Sequence, residues 1–293
     1  MSDRNFRKLL EAQWARGNFV CVGLDSDLAK IPEAAQVSDP ERPDAFLGLD
    51  PESTIFGFNE NIVDATKDLV CAYKPNVAFY EAHGERGLVA LRKTTAYINK
   101  VAPDVPVILD AKRGDIGNTN AGYVEAAFNF YQADAITVHP YLGSEALQPF
   151  LARADKGVIV LCRTSNPGAG EFQDLLVDSE PLYRFVARRV ANKWNKNGNC
   201  ALVVGATYPD ELRIVRQIVG DMTILVPGVG FQQKNVSLEE QVKQVVNNGK
   251  DSRGWGMIIN SSRGIIFASK GADFAEVARH ETLKLHDIIN QYR

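Results

Sequence analysis

The chain has 293 residues, 45% of them hydrophobic, and a net charge of −3 from 33 basic and 36 acidic residues. That length fits one large α/β barrel or two ordinary domains, with ample apolar content for a core. No global field favours nucleic acid or an anionic membrane, no apolar run is long enough to span a bilayer, and any phosphate has to be held locally.

An amphipathic helix opens the chain, with Phe6, Leu9, Leu10 and Trp14 on its apolar face. It lacks the apolar stretch of a secretion signal, so a cytoplasmic location is expected. Residues 18–24 read as an apolar strand ending in Asp25-Ser26-Asp27. Counting by two places Cys21, Gly23 and Asp25 on one face. The Pro-, Asp- and Gly-rich residues 31–57 read as a surface insertion or lid. A helix over 58–69 precedes a second strand, 70–73, which ends in Lys74-Pro75-Asn76, and a helix over 84–101 leads to residues 105–119.

That stretch, VPVILDAKRGDIGNT, is an apolar run that stops abruptly at Asp110, Lys112 and Asp115. Alternation puts Ile108, Asp110 and Lys112 on one face of the strand. Gly114 and Gly117 loosen the turn, and Asn118 or Thr119 can cap the next helix, read over 123–131. A fourth strand, 135–138, ends in His139, which lacks a local carboxylate partner and reads as a packed or capping histidine. After a short helix, 144–151, a fifth strand, 158–162, ends in Arg163-Thr164-Ser165-Asn166-Pro167-Gly168. There the hydroxyls could serve a heterocycle or merely close a turn before the proline.

A helix over 181–195 and a sixth strand, 201–204, follow, and then a helix from Pro209 to Val219. A seventh strand, 223–226, ends in Pro227-Gly228-Val229-Gly230. After a helix over 238–248, an eighth strand, 255–259, ends in Asn260-Ser261-Ser262-Arg263-Gly264, and a helix over 273–291 closes the chain. Cys21, Cys71, Cys162 and Cys200 stand far apart beside apolar runs, which predicts buried strand thiols in a reducing compartment. The four histidines form no zinc signature.

Eight short strands, each followed by a helical segment with no low-complexity linker, predict one (β/α)₈ barrel, an α/β fold with an added N-terminal helix, spanning residues 1–293 as a single domain. A doubly wound sheet competes, but its dinucleotide fingerprint needs a third glycine that Gly228-Val229-Gly230 lacks. In such barrels phosphate commonly sits in the loops after strands seven and eight. There Gly228 and Gly230 allow close backbone approach, Gln232 offers an amide, Arg263 a planar fork, and Ser262 and Gly264 backbone donors. Residues 231–237 are expected to form a flap that orders over the phosphate. Asp25, Lys74, Asp110 and Lys112, from three consecutive strands, should form an array of alternating charge in which each lysine is protonated and each aspartate ionised.

The stretch DAKRGDIGNT, the Lys74-Pro75-Asn76 strand end, the loop from Thr164 to Gly168, Pro227-Gly228-Val229-Gly230 and Arg263 together closely resemble the orotidine 5′-phosphate decarboxylase family, in particular its longer bacterial type. The resemblance implies decarboxylation of orotidine 5′-monophosphate to uridine 5′-monophosphate, the last step of pyrimidine nucleotide synthesis, without metal or organic cofactor. By it, Lys112 would protonate C6, Asp110 would lie against the substrate carboxylate, and Lys74 would contact the ribose and hold Asp110. Asp115 and Thr119 would reach the partner's site in a homodimer with shared active sites. Asp25 would bind ribose hydroxyls, Ser165 the pyrimidine, and Gln232, Gly230 and Arg263 the phosphate, with Gly228, Ser262 and Ile116 also at the substrate. The alternatives are a metal-dependent phosphosugar lyase, which would want another carboxylate where this chain has Lys74, and a catalytically silent nucleotide-binding barrel.

Overall fold

The computed structural model describes residues 4–41, 46–230 and 236–293. Among them eight parallel strands make one sheet: β1 Val20–Leu24, β2 Val70–Pro75, β3 Ile108–Arg113, β4 Ala135–Val138, β5 Gly157–Arg163, β6 Cys200–Val204, β7 Thr223–Pro227 and β8 Met257–Ser261. The last strand pairs with the first, Val20 opposite Ile259. Bridges from Tyr73 to Val107 and from Asn76 to Asp110 join β2 to β3 and close the ring. All residues of β1, β2, β4, β6 and β8 are buried. This explains their unbroken apolar runs, because a strand covered on both faces has no solvent side to alternate with.

The N-terminal helix, Phe6–Ala15, starts at an Asn5 cap whose side chain accepts the Lys8 N–H. It closes the lower end of the barrel with Phe6, Leu10 and Trp14. The Trp14 indole donates to Met257 O at 2.8 Å, and Phe6 packs so closely on Gly157 that an added Cβ there would lie 2.4 Å from its ring. Beneath it Asp134, fully buried, takes two bonds from Arg4 at 2.7 and 2.9 Å and one from the Val107 N–H. All four cysteines are buried and unbridged.

The sequence reading placed the second helix too late. It spans Pro51–Thr66, with Asp50 capping the Glu52 and Ser53 N–H groups and proline in its first turn. The proline in residues 31–57 suggests a surface insertion or lid, yet proline is equally suited to a helix start. Part of residues 31–57 is tied to the barrel by Arg86, which bonds Asp39 at 2.9 Å and Asp50 at 2.8 Å. Residues 42–45 lie outside the described residues. The eighth strand begins two residues later than expected. Gly254 and Gly256 have φ of 79° and 78°, and Asp251 captures the Trp255 N–H, so Trp255 belongs to a turn.

Candidate active site at the barrel mouth

At the carboxyl ends of β1, β2 and β3 the expected charge array is present. Lys74 Nζ lies 3.0 Å from Asp110 Oδ2 and 3.9 Å from Asp25 Oδ1. Lys112 Nζ lies 2.7 Å from Asp110 Oδ1. The two lysines differ in surroundings: the Lys74 side chain is 4% exposed and that of Lys112 49%. Burial opposes the charge on Lys74, but Asp110 and Asp25 outweigh it and hold the ammonium above the ordinary lysine range. Burial likewise opposes ionisation of Asp110, and Lys74 and Lys112 together hold its carboxyl well below the usual carboxylate range. Below the array, burial pushes the Cys21 thiol up to about 12, so it stays neutral.

Simple strand alternation does not deliver this geometry. Lys112 has φ of 48°, and the pairing of β3 with β4 shifts register between Leu109 and Arg113. The bulge turns the Lys112 side chain back onto Asp110. Its N–H is received by Thr137 Oγ1 at 3.0 Å, and the same hydroxyl donates to Asp110 Oδ1 at 2.8 Å. Thr137 was not singled out in the sequence.

A second buried network was missed as well. Ser26 Oγ donates to Asn59 Oδ1 at 2.6 Å, Asn59 Nδ2 donates to Tyr80 Oη and Thr94 Oγ1 at 3.0 and 3.1 Å, and Tyr80 Oη donates to Leu24 O at 3.0 Å. These bonds fix the chain on both sides of Asp25. His139 packs as expected. Its ring lies over Gly114, where an added Cβ would meet Nε2 at 2.7 Å, and its Nδ1 accepts the Tyr141 N–H.

Across the mouth, Gly228 and Gly230 have φ of 97° and 86°, conformations that other residues rarely take. The Gly230 N–H is already received by Gln241 Oε1 at 3.0 Å, so Gln241 shapes this turn. Ser262 Oγ donates to Gly23 O at 2.9 Å, tying the loop after β8 to β1. Arg263 is exposed at the start of a short helix, Arg263–Ile266. Gln232 and most of the expected flap, 231–235, lie outside the described residues, and Ser237 caps the helix Leu238–Gly249. Ser165 is half-buried at the end of β5 and backs directly onto Gly205. Thr164 is engaged in the loop itself, by Gln173 and Asn166, as a turn residue.

The loop after β3 stands apart from the array. Asp115 is exposed and its Oδ1 accepts the Ile116 N–H at 2.7 Å. Among the described residues no hydrogen bond or ion pair joins it to Asp25, Lys74, Asp110 or Lys112. The expected cap by Asn118 or Thr119 is not formed. Asn120 instead accepts the Asp115 N–H and donates to Ala146 O, because a helix starting at Gly117 puts its side chain inward. Thr119 is half-buried on the first turn, and Ile116 is 56% exposed.

The family model described as orotidine 5′-phosphate decarboxylase / HUMPS matches residues 20–278. An orotidine 5′-phosphate decarboxylase of Ralstonia pickettii (strain 12J) is 47% identical over 289 residues, covering 98% of this chain and 99% of the relative. That of Cellvibrio japonicus (strain Ueda107) is 47% identical over 290 residues, with 99% of each covered. Among solved structures, the OMP decarboxylase of Leishmania donovani superposes with a TM-score of 0.79 at 36% identity, over 97% of this chain and 98% of that one.

Proposed function

The chain belongs to the orotidine 5′-phosphate decarboxylase family of carboxy-lyases, and from that premise we propose that it turns orotidine 5′-monophosphate into uridine 5′-monophosphate and carbon dioxide with Lys112 as the proton donor to C6. One observation carries the choice of lysine. Two ammonium groups hold Asp110, but Lys74 is enclosed by the barrel whereas Lys112 faces the open mouth.

Breaking the bond between C6 and its carboxylate leaves the electron pair in an in-plane orbital of C6, outside the π system. No enolate can take it up, so stabilisation has to come from a cation already fixed beside that carbon. Lys112 supplies the cation and then the proton: the pair on C6 forms the new C–H bond, and the resulting amine regains a proton from water at the mouth. Asp110 stands against the departing carboxylate while holding the ammonium in place. Lys74 keeps Asp110 ionised and, with Asp25, meets the ribose.

Ser165 takes the pyrimidine, and Gly228, Gly230, Gln232, Ser262 and Arg263 take the phosphate. Contacts so far from C6 speed the reaction only where they strengthen on reaching the transition state. Asp115, Ile116 and Thr119 serve the neighbouring subunit's site in a homodimer. The exposure of Asp115 and of Ile116, at 56%, supports an outward-facing role for this loop. The unbridged thiols support a cytoplasmic setting, and residues 1–293 act as one barrel domain.

The test is loss of orotate absorbance when the protein meets orotidine 5′-monophosphate in the presence of a chelator. Turnover should persist with chelator and vanish in Lys112→Ala while uridine 5′-monophosphate still binds. Substantial kcat in that variant removes Lys112 from the role.

A further inference from the structure

We infer that Thr137 is a positioning residue of this reaction, its one hydroxyl fixing both the carboxylate of Asp110 and the backbone from which Lys112 projects. The inference rests on the reading that Lys112 protonates the substrate. Thr137 is the third residue of β4 and is 1% exposed. Its proton is committed to Asp110 Oδ1 at 2.8 Å, which leaves a lone pair to receive the Lys112 N–H at 3.0 Å. Because Lys112 Nζ returns to the same carboxylate oxygen at 2.7 Å, the four groups close a ring. The lysine is held at its amide end by Thr137 and at its ammonium end by Asp110.

The ring compensates two local penalties. A left-handed backbone at a residue other than glycine is strained and persists only where the surroundings enforce it. Lys112, with φ of 48°, lies where the pairing of β3 with β4 is interrupted. The hydroxyl of Thr137 thus supplies an acceptor at a break in the strand pairing. Two other buried threonines behave differently. The hydroxyls of Thr95 and Thr282 bond to carbonyls of their own helices, Arg92 O and Ala278 O. Thr137 spends its hydroxyl across strands on the two groups that face the substrate.

The experiment compares Thr137→Val, which keeps the shape and removes the hydroxyl, with Thr137→Ser, which keeps the hydroxyl. Thermal melts establish folding, steady-state kinetics give kcat and KM, and titration with uridine 5′-monophosphate gives Kd. The valine variant should lose about 100-fold in kcat, the scale of a misplaced reacting group, with KM and Kd within about threefold of the unsubstituted protein. The serine variant should recover most of that loss. If the valine variant does not fold, Thr137→Ala carries the same expectation.

A hydroxyl-free variant with kcat within about threefold of the unsubstituted protein overturns the inference. So does an equal loss in the serine variant, or a loss matched by collapse of nucleotide binding. Lys112→Ala run in parallel separates the two levels. If it still turns over, the role of Lys112 fails; if it is inert while the valine variant is fast, only the role of Thr137 fails.

Discussion

A carboxylate as enclosed as that of Asp110 keeps its charge only because Lys74 lies 3.0 Å from one oxygen and Lys112 2.7 Å from the other. This makes Asp110 a pH sensor of stability with a definite sign. Its pKa in the folded protein is depressed, so its contribution is complete above the unfolded value, about 3.9, and is lost as pH falls below it. The stability advantage over Asp110→Asn should therefore be level above about pH 5 and shrink by about 1 kcal/mol by about pH 3. Urea melts of both proteins across that range check it, and a gap that stays constant down to the lowest pH would contradict it. Lys74 has the opposite sign: its elevated pKa keeps its contribution intact below about 10.4, outside this range.

At the scale of elements, β5 and β6 approach so closely at their carboxyl ends that an added Cβ on Gly205 would lie 2.6 Å from Ser165 Cβ and 2.7 Å from its Cα. Backbone cannot yield as a flexible side chain can, so Gly205→Ala has to displace Ser165. The expected result is a rise in KM of about tenfold, the worth of one lost hydrogen bond, in a protein that still melts cooperatively; an unchanged KM would remove Ser165 from substrate contact. This also shows what could be read in advance. Asp25, Lys74, Asp110 and Lys112 were legible because charge ends an apolar run and marks the strand terminus. Thr137, Asn59, Tyr80 and Gln241 were not, since a threonine within a strand or a polar residue on an amphipathic helix reads as ordinary local pattern, and its use depends on a neighbour far along the chain. The left-handed turn at Lys112 escaped for a related reason: nothing short of the β4 register reveals that alternation breaks there.

At the scale of the whole molecule, the array within one chain is separate from Asp115, whose carboxylate accepts only its own neighbour's N–H among the described residues. If that loop completes the site of a second copy, two different lesions should compensate. Lys112→Ala and Asp115→Asn proteins, each inactive alone, would form mixed dimers with one intact site. Random reassortment should then restore about a quarter of full activity. No recovery despite demonstrated subunit exchange would contradict sharing. The lower end of the barrel has a further consequence. Among the described residues Phe6, Leu10 and Trp14 stopper that end and side chains fill the interior. If Lys112 gives up its proton as proposed, the released gas leaves by the mouth past the nucleotide, so venting of the first product and recharging of the lysine by water share that doorway.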